Sequence, residues 1–111
     1  GSRVLVLGVA YKQDIDDYRE SPALRVIEHL EERGAEIVYY DPYIKEYKYD
    51  GKIRQGEESL TKDLIESADL VIVTTAHTTV DYDFVQQNAK LIFDTKNAMK
   101  NVQNRSNIEV L

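Results

Sequence analysis

The sequence predicts an α/β domain, a doubly wound parallel sheet in three layers, and three observations predict it. Apolar runs without polar alternation, at 3–7 and 70–74, read as strands covered on both faces. Between such runs lie stretches whose apolar residues recur at helical spacing. Strand and helix alternate along most of the chain, the order that yields parallel strands joined by right-handed crossovers.

The first strand, Arg3-Val-Leu-Val-Leu7, ends on a glycine and runs into a long loop, Gly8-Val-Ala-Tyr-Lys-Gln-Asp-Ile-Asp-Asp-Tyr-Arg-Glu-Ser-Pro22. Ser21 is the N-cap of a helix over 21–33, with Pro22 at its first position. Ala23, Val26, Ile27 and Leu30 form its apolar face. Arg25, Glu28, Glu31, Glu32 and Arg33 fill the other, with His29 on the exposed or boundary side. Gly34 stops it. Residues 35–40 read as a second strand and Asp41-Pro42 as the break after it.

From 43 to 58 the pattern dissolves into Tyr43, Tyr47 and Tyr49 among lysines, with Gly51 and Gly56 as breakers. This is expected to be an irregular excursion covering the sheet edge; a partner surface is the other reading of its tyrosines. A short helix over 59–67 carries Leu60, Leu64 and Ile65. Then come a third strand at 70–74, a helix at 81–88, a fourth strand at 91–94, and a candidate fifth, edge strand at 108–111.

The expected strand order is 2-1-3-4 with the fifth at the edge. The chain then reverses direction between strands 1 and 3, and open α/β sheets bind ligands at the carboxyl ends there. The 8–20 loop and 75–79 flank that crevice, with 95–98 one strand along. Lys12, His77 and Lys96 are thereby expected in one region.

At 111 residues the chain is one domain, and Gly1-Ser2 reads as a cloning scar. Twenty acidic against 14 basic residues give a net charge of -6, which argues against nucleic acid or an anionic membrane as partner. The absence of cysteine removes disulfides, thiolate metal sites and a cysteine nucleophile. No apolar run approaches the roughly 20 residues of a membrane span, and no signal peptide precedes the first strand. A soluble, cytoplasmic protein is expected.

Gly8-Val-Ala lacks the later glycines that let a dinucleotide pyrophosphate approach the backbone, so autonomous NAD binding is not expected. Lys12 and Lys96 can supply point charges to a phosphate, and Tyr11 a flat face for a base. Taken alone, Lys12 and Arg19 fit a plainer role better, pairing with Asp14, Asp16 and Asp17 to hold the loop in shape. His77 has no serine or cysteine partner and reads as a hydrogen-bonding fixture rather than a base. The acidic trio lacks the glycine and distal glutamate of a calcium loop, so no metal is expected.

The run from Gly8 to Ala23, followed by Val26-Ile27, Gly34-Ala35 and Tyr40-Asp-Pro42, resembles the C-terminal UDP-binding domain of the UDP-glucose/GDP-mannose dehydrogenase family. The resemblance runs from Arg3 to about Asn97 and reverses the plain reading of Lys12 and Arg19. It implies a Rossmann-like domain of an enzyme that oxidises C6 of a UDP-sugar with NAD. The catalytic cysteine, the dinucleotide fingerprint and the catalytic lysine would lie in N-terminal and central domains absent from 3–111, so this chain alone would be inactive. By resemblance Tyr11 and Lys12 contact the UDP-sugar, Arg19 reaches the NAD held by the N-terminal domain, and Lys96 faces the nucleotide. Relatives often carry arginine where Lys96 stands; the lysine keeps the charge and loses the bidentate fork.

Thr75-Ala-His-Thr-Thr-Val-Asp-Tyr-Asp83 is similar to the branch acting on UDP-N-acetylhexosamines, which makes His77 a further substrate-binding candidate and N-acetylglucosamine or N-acetylmannosamine the expected sugar. The full enzyme is expected to be a homo-oligomer. Two alternatives stand beside this reading: a UDP-glucose 6-dehydrogenase, and a non-catalytic flavodoxin-like or receiver-type regulatory domain.

Overall fold

The computed structural model describes residues 2–10, 14, 17–19 and 21–110. Its elements are β1 (Arg3–Leu7), α1 (Pro22–Glu32), β2 (Glu36–Tyr40), β3 (Glu46–Tyr49), β4 (Lys52–Gln55), α2 (Lys62–Ser67), β5 (Leu70–Val73), α3 (Tyr82–Asn88), β6 (Ile92–Asp94) and β7 (Ile108–Val110). Five strands form a parallel sheet in the order β2-β1-β5-β6-β7, the expected order with the expected edge strand. Among the described residues no helix is long and apolar enough to cross a membrane.

Successive side chains of a strand point to opposite faces, and β1 shows what this does when both faces are covered. Val4 and Val6 join Ala23, Leu24 and Ile27 of α1 on one side. Leu5 and Leu7 join Ile65 of α2, Val85 of α3 and Ile92 on the other. Both sets must therefore be apolar, which is why the strand reads as a continuous hydrophobic run. Each fully buried aliphatic side chain contributes about 1.5–3 kcal/mol, and Leu5, Leu7, Ile27, Ile65 and Ile92 are all buried to that degree.

The α1 helix starts as its sequence specifies: the Ser21 hydroxyl accepts from the N–H of Ala23 at 3.3 Å. Its buried stripe is Ala23, Leu24 and Ile27, with Leu30 half-buried. Val26, expected on that face, is 36% exposed. Leu24 and Ile27 point at the sheet, which leaves Val26 at the margin of the stripe.

The excursion expected to be irregular contains an antiparallel hairpin, β3 with β4, in which Tyr49 pairs with Lys52. The two turn residues, Asp50 and Gly51, have φ of 53° and 77°. That is the turn whose twist matches a hairpin, and Asp-Gly is among its preferred sequences. The rings of Tyr39, Tyr47 and Tyr18 pack in series, tilted to one another, at 5.3 Å and 5.7 Å, fastening the hairpin to β2 and to the loop before α1. Arg54 pairs with Glu31 of α1, and the N–H of Glu57 donates to the carbonyl of Tyr39. Tyr39 and Tyr47 are thus core residues that cover the sheet edge.

Candidate functional site

β1 feeds α1 on one face and β5 feeds α3 on the other, so the adjacent ends of β1 and β5 form the switch point. The loops there are held by one buried carboxylate. Asp41, 1% exposed at the end of β2, accepts from Val9 N at 2.8 Å and Ala10 N at 3.1 Å through Oδ2. Its Oδ1 accepts from Tyr43 N at 2.8 Å and Ile44 N at 3.2 Å. His77, itself 0% exposed, donates from Nε2 to Asp41 Oδ2 at 2.9 Å.

The imidazole is committed on its other side as well. The N–H of Asp14 donates to Nδ1 at 2.7 Å, so Nδ1 carries no proton and Nε2 must. The Asp14 carboxylate in turn accepts from the N–H and hydroxyl of Thr78 at 2.8 Å and 2.7 Å. These Thr78 bonds hold the Asp14 carboxyl below its usual pKa. For Asp41, burial works to raise the pKa, but the hydrogen bonds from His77, Tyr43 and Val9 outweigh it and the net direction is down. His77 is therefore a fixed interior link with no ring nitrogen left for a ligand.

Backbone proximity tightens the same edge. Gly8 has φ +90°, and a β-carbon on it would stand 2.4 Å from that of Thr75 and 2.8 Å from the Thr75 carbonyl oxygen. Thr75 donates its hydroxyl to the carbonyl of Ala10 at 2.8 Å, and Thr74 donates to the carbonyl of Gly8. The amides of Val9 and Ala10, which a pyrophosphate cradle after β1 would use, are spent on Asp41.

One strand further along, Asp94 repeats the device. It is 0% exposed and accepts from Lys96 N, Ala98 N and Met99 N at 3.0, 3.0 and 2.8 Å. The loop so shaped borders an open groove of about 330 Å³ lined by Thr78 and Tyr82 on one side and Lys96, Asn97, Lys100 and Asn101 on the other. Its charged lining groups are the two lysines. In a chain of net charge -6, this is a local cationic site with amides and hydroxyls around it, suited to a phosphate bearing a polar or aromatic appendage.

The expected convergence thus holds for the 75–79 and 95–98 stretches, with His77 behind the groove rather than in it. Tyr11 and Lys12 lie outside the described residues. Arg19 borders a different groove, about 560 Å³ between α1 and the hairpin. Its side chain is 84% exposed and forks onto Asp17, Nε to Oδ1 at 3.1 Å and Nη2 to Oδ2 at 3.0 Å. Sequence reasoning passed over Thr78, Tyr82 and Lys100 as groove residues and read Asp41 only as a strand end. No group of three or more metal-ligating side chains occurs among the described residues.

Residues 5–101 match the model of the UDP-glucose/GDP-mannose dehydrogenase family, UDP binding domain. The chain is 31% identical over 105 residues to UDP-N-acetyl-D-mannosamine dehydrogenase of Methanocaldococcus jannaschii, covering 87% of this chain and 23% of that protein. To the enzyme of the same name from Pyrococcus horikoshii it is 33% identical over 102 residues, 87% of this chain and 22% of the relative. The solved structure of the UDP-D-ManNAc dehydrogenase from Pyrococcus horikoshii superposes with a TM-score of 0.75 at 29% identity, over 98% of this chain and 25% of that one. The chain thus spans about a quarter of the length of the relatives it matches.

Proposed function

Because the chain belongs to the UDP-glucose/GDP-mannose dehydrogenase family, as its UDP-binding domain, we propose that it binds the UDP part of a UDP-N-acetylhexosamine within an NAD-dependent 6-dehydrogenase. The observation that carries the reading is the groove at the carboxyl ends of the strands, whose charged lining groups are Lys96 and Lys100. Lys96 and Lys12 neutralise the diphosphate, and Tyr11 stacks on the base. Binding energy gained there, remote from C6, positions the sugar for oxidation elsewhere in the enzyme.

The chemistry belongs to parts of the polypeptide outside this chain. NAD would be held by an N-terminal domain, with Arg19 reaching it across the domain boundary, in a cytoplasmic homo-oligomer. The N-acetylhexosamine assignment is favoured over glucose by the Thr75–Asp83 stretch and by the names of the relatives above. UDP-glucose 6-dehydrogenase of Rickettsia bellii, 31% identical over 109 residues, keeps glucose as the second reading.

Calorimetric titration with UDP at low salt tests the proposal. Lys12→Ala and Lys96→Ala should each weaken binding about tenfold, equivalent to about 1.4 kcal/mol, and added salt should weaken the parent further. If millimolar UDP gives neither heat nor a thermal shift, the chain does not bind the nucleotide by itself and the proposal fails for it.

A further inference from the structure

We infer that His77 is a positioning residue: it fixes the loop that follows β1 and thereby sets nucleotide affinity, without touching the ligand. The inference rests on the UDP-binding reading above. It starts from the burial of His77 at 0% exposure, which keeps any ligand from its ring. A buried imidazole must satisfy its ring nitrogens, and the partners that do so here lie at the loop itself and at the carboxylate that holds it: Nδ1 takes the backbone N–H of Asp14 and Nε2 the Asp41 carboxylate.

What this link does follows from where it ends. Asp41 fixes the loop at Val9 and Ala10. His77 and Thr78 fix it again at Asp14, one through the backbone and the other through the side chain. Only Tyr11, Lys12 and Gln13 lie between those two anchor points. Asp14 has φ 60°, a left-handed conformation that aspartate tolerates better than most residues with a β-carbon, and its bonds to His77 and Thr78 are made from that conformation. The Tyr43 ring packs on the imidazole at 4.9 Å, so the ring is confined sideways too. With Val9, Ala10 and Asp14 held, ligand binding has less chain freedom to remove, and that difference appears as affinity.

A double-mutant cycle on the 111-residue chain tests this, with UDP as the probe. His77→Phe, which keeps a ring and removes both nitrogens, should weaken UDP binding about tenfold. Lys12→Ala should then cost at least fivefold less in the His77→Phe background than in the parent, because the two act through one loop. Amide hydrogen exchange without ligand supplies a second arm: His77→Phe should speed exchange at Asp14 about tenfold more than at the core amides of Val71 and Ile72, whose change reports only the loss of global stability. Should His77→Phe not fold, His77→Leu, which also removes both nitrogens in a smaller side chain, takes its place in both arms.

Additive effects in the cycle, or an affinity unchanged by the His77 substitution, overturn the positioning role. A parent chain that binds no UDP overturns the nucleotide reading instead. The exchange arm then decides by itself whether His77 holds the loop, and exchange at Asp14 that rises no more than at Val71 and Ile72 refutes it.

Discussion

Asp41→Asn would test how the binding edge is held together. The parent carboxylate accepts five hydrogen bonds, three at Oδ2 from Val9 N, Ala10 N and His77 Nε2, and two at Oδ1 from Tyr43 N and Ile44 N. Asparagine has the same shape with one acceptor oxygen. Turned to serve the three donors, it sets its NH2 against the N–H groups of Tyr43 and Ile44. Two bonds to a charged acceptor are lost at about 1.5–3 kcal/mol each, so the variant should be destabilised by roughly 3–6 kcal/mol. Domains of this size have total stabilities of about 5–15 kcal/mol. At about 4 °C per kcal/mol the melting midpoint should fall by at least ~10 °C. Urea denaturation and calorimetry at neutral pH read both quantities. A loss below about 1 kcal/mol would refute the reasoning, since the donors would then be satisfied without the charge.

The same carboxylate predicts the acid limb of stability. Its folded pKa lies below the ordinary 3.8, so it contributes fully above that value and its contribution fades as pH falls through the lower folded value. Urea midpoints measured from pH 6 to 2 should therefore draw closer for parent and Asp41→Asn as the pH falls, and a constant gap would contradict the assignment. Gly8→Ala and Gly51→Ala separate crowding from backbone strain. Both glycines have positive φ, but a β-carbon at Gly51 meets nothing within 4 Å whereas one at Gly8 meets the Thr75 backbone. Gly51→Ala should cost about 1–2 kcal/mol, and Gly8→Ala should prevent a cooperative thermal transition by circular dichroism. Equal losses at the two positions would show that the approach of β1 to Thr75 is not the limiting contact.

How much was legible in the sequence depends on whether a feature is local. The parallel sheet was legible because burial on both faces writes itself as uninterrupted apolar runs at β1 and β5. The hairpin was legible in its turn but not in its strands. Asp50-Gly51 is a strong hairpin signal, yet Tyr47 is the one buried position of β3 and β4, so no alternation flagged them. Asp41 divides in the same way. Its bonds to Tyr43 and Ile44 are the ordinary habit of an aspartate before a turn. Those to Val9 and His77 cross 32 and 36 positions and leave no mark on neighbouring residues. For Lys96 the topology was enough, because a residue just past the end of a central strand has one edge on which to lie. For His77 it placed the residue at the right edge and could not tell an inward ring from an outward one.

The long reach of these ties has a consequence in time. The bonds from Val9 and Ala10 to Asp41 are available once β2 and the turn after it exist. The bond from Asp14 to His77 spans 63 positions and waits for β5 to be made and docked. Closing a loop of that span precedes the contacts that reward it, which makes such pairings slow. A growing chain would carry the β1 loop, tethered at one end only, through the synthesis of the hairpin, α2 and β5. The binding edge therefore matures after the layer it stands on, and protection of the Asp14 amide during refolding would date the docking of β5.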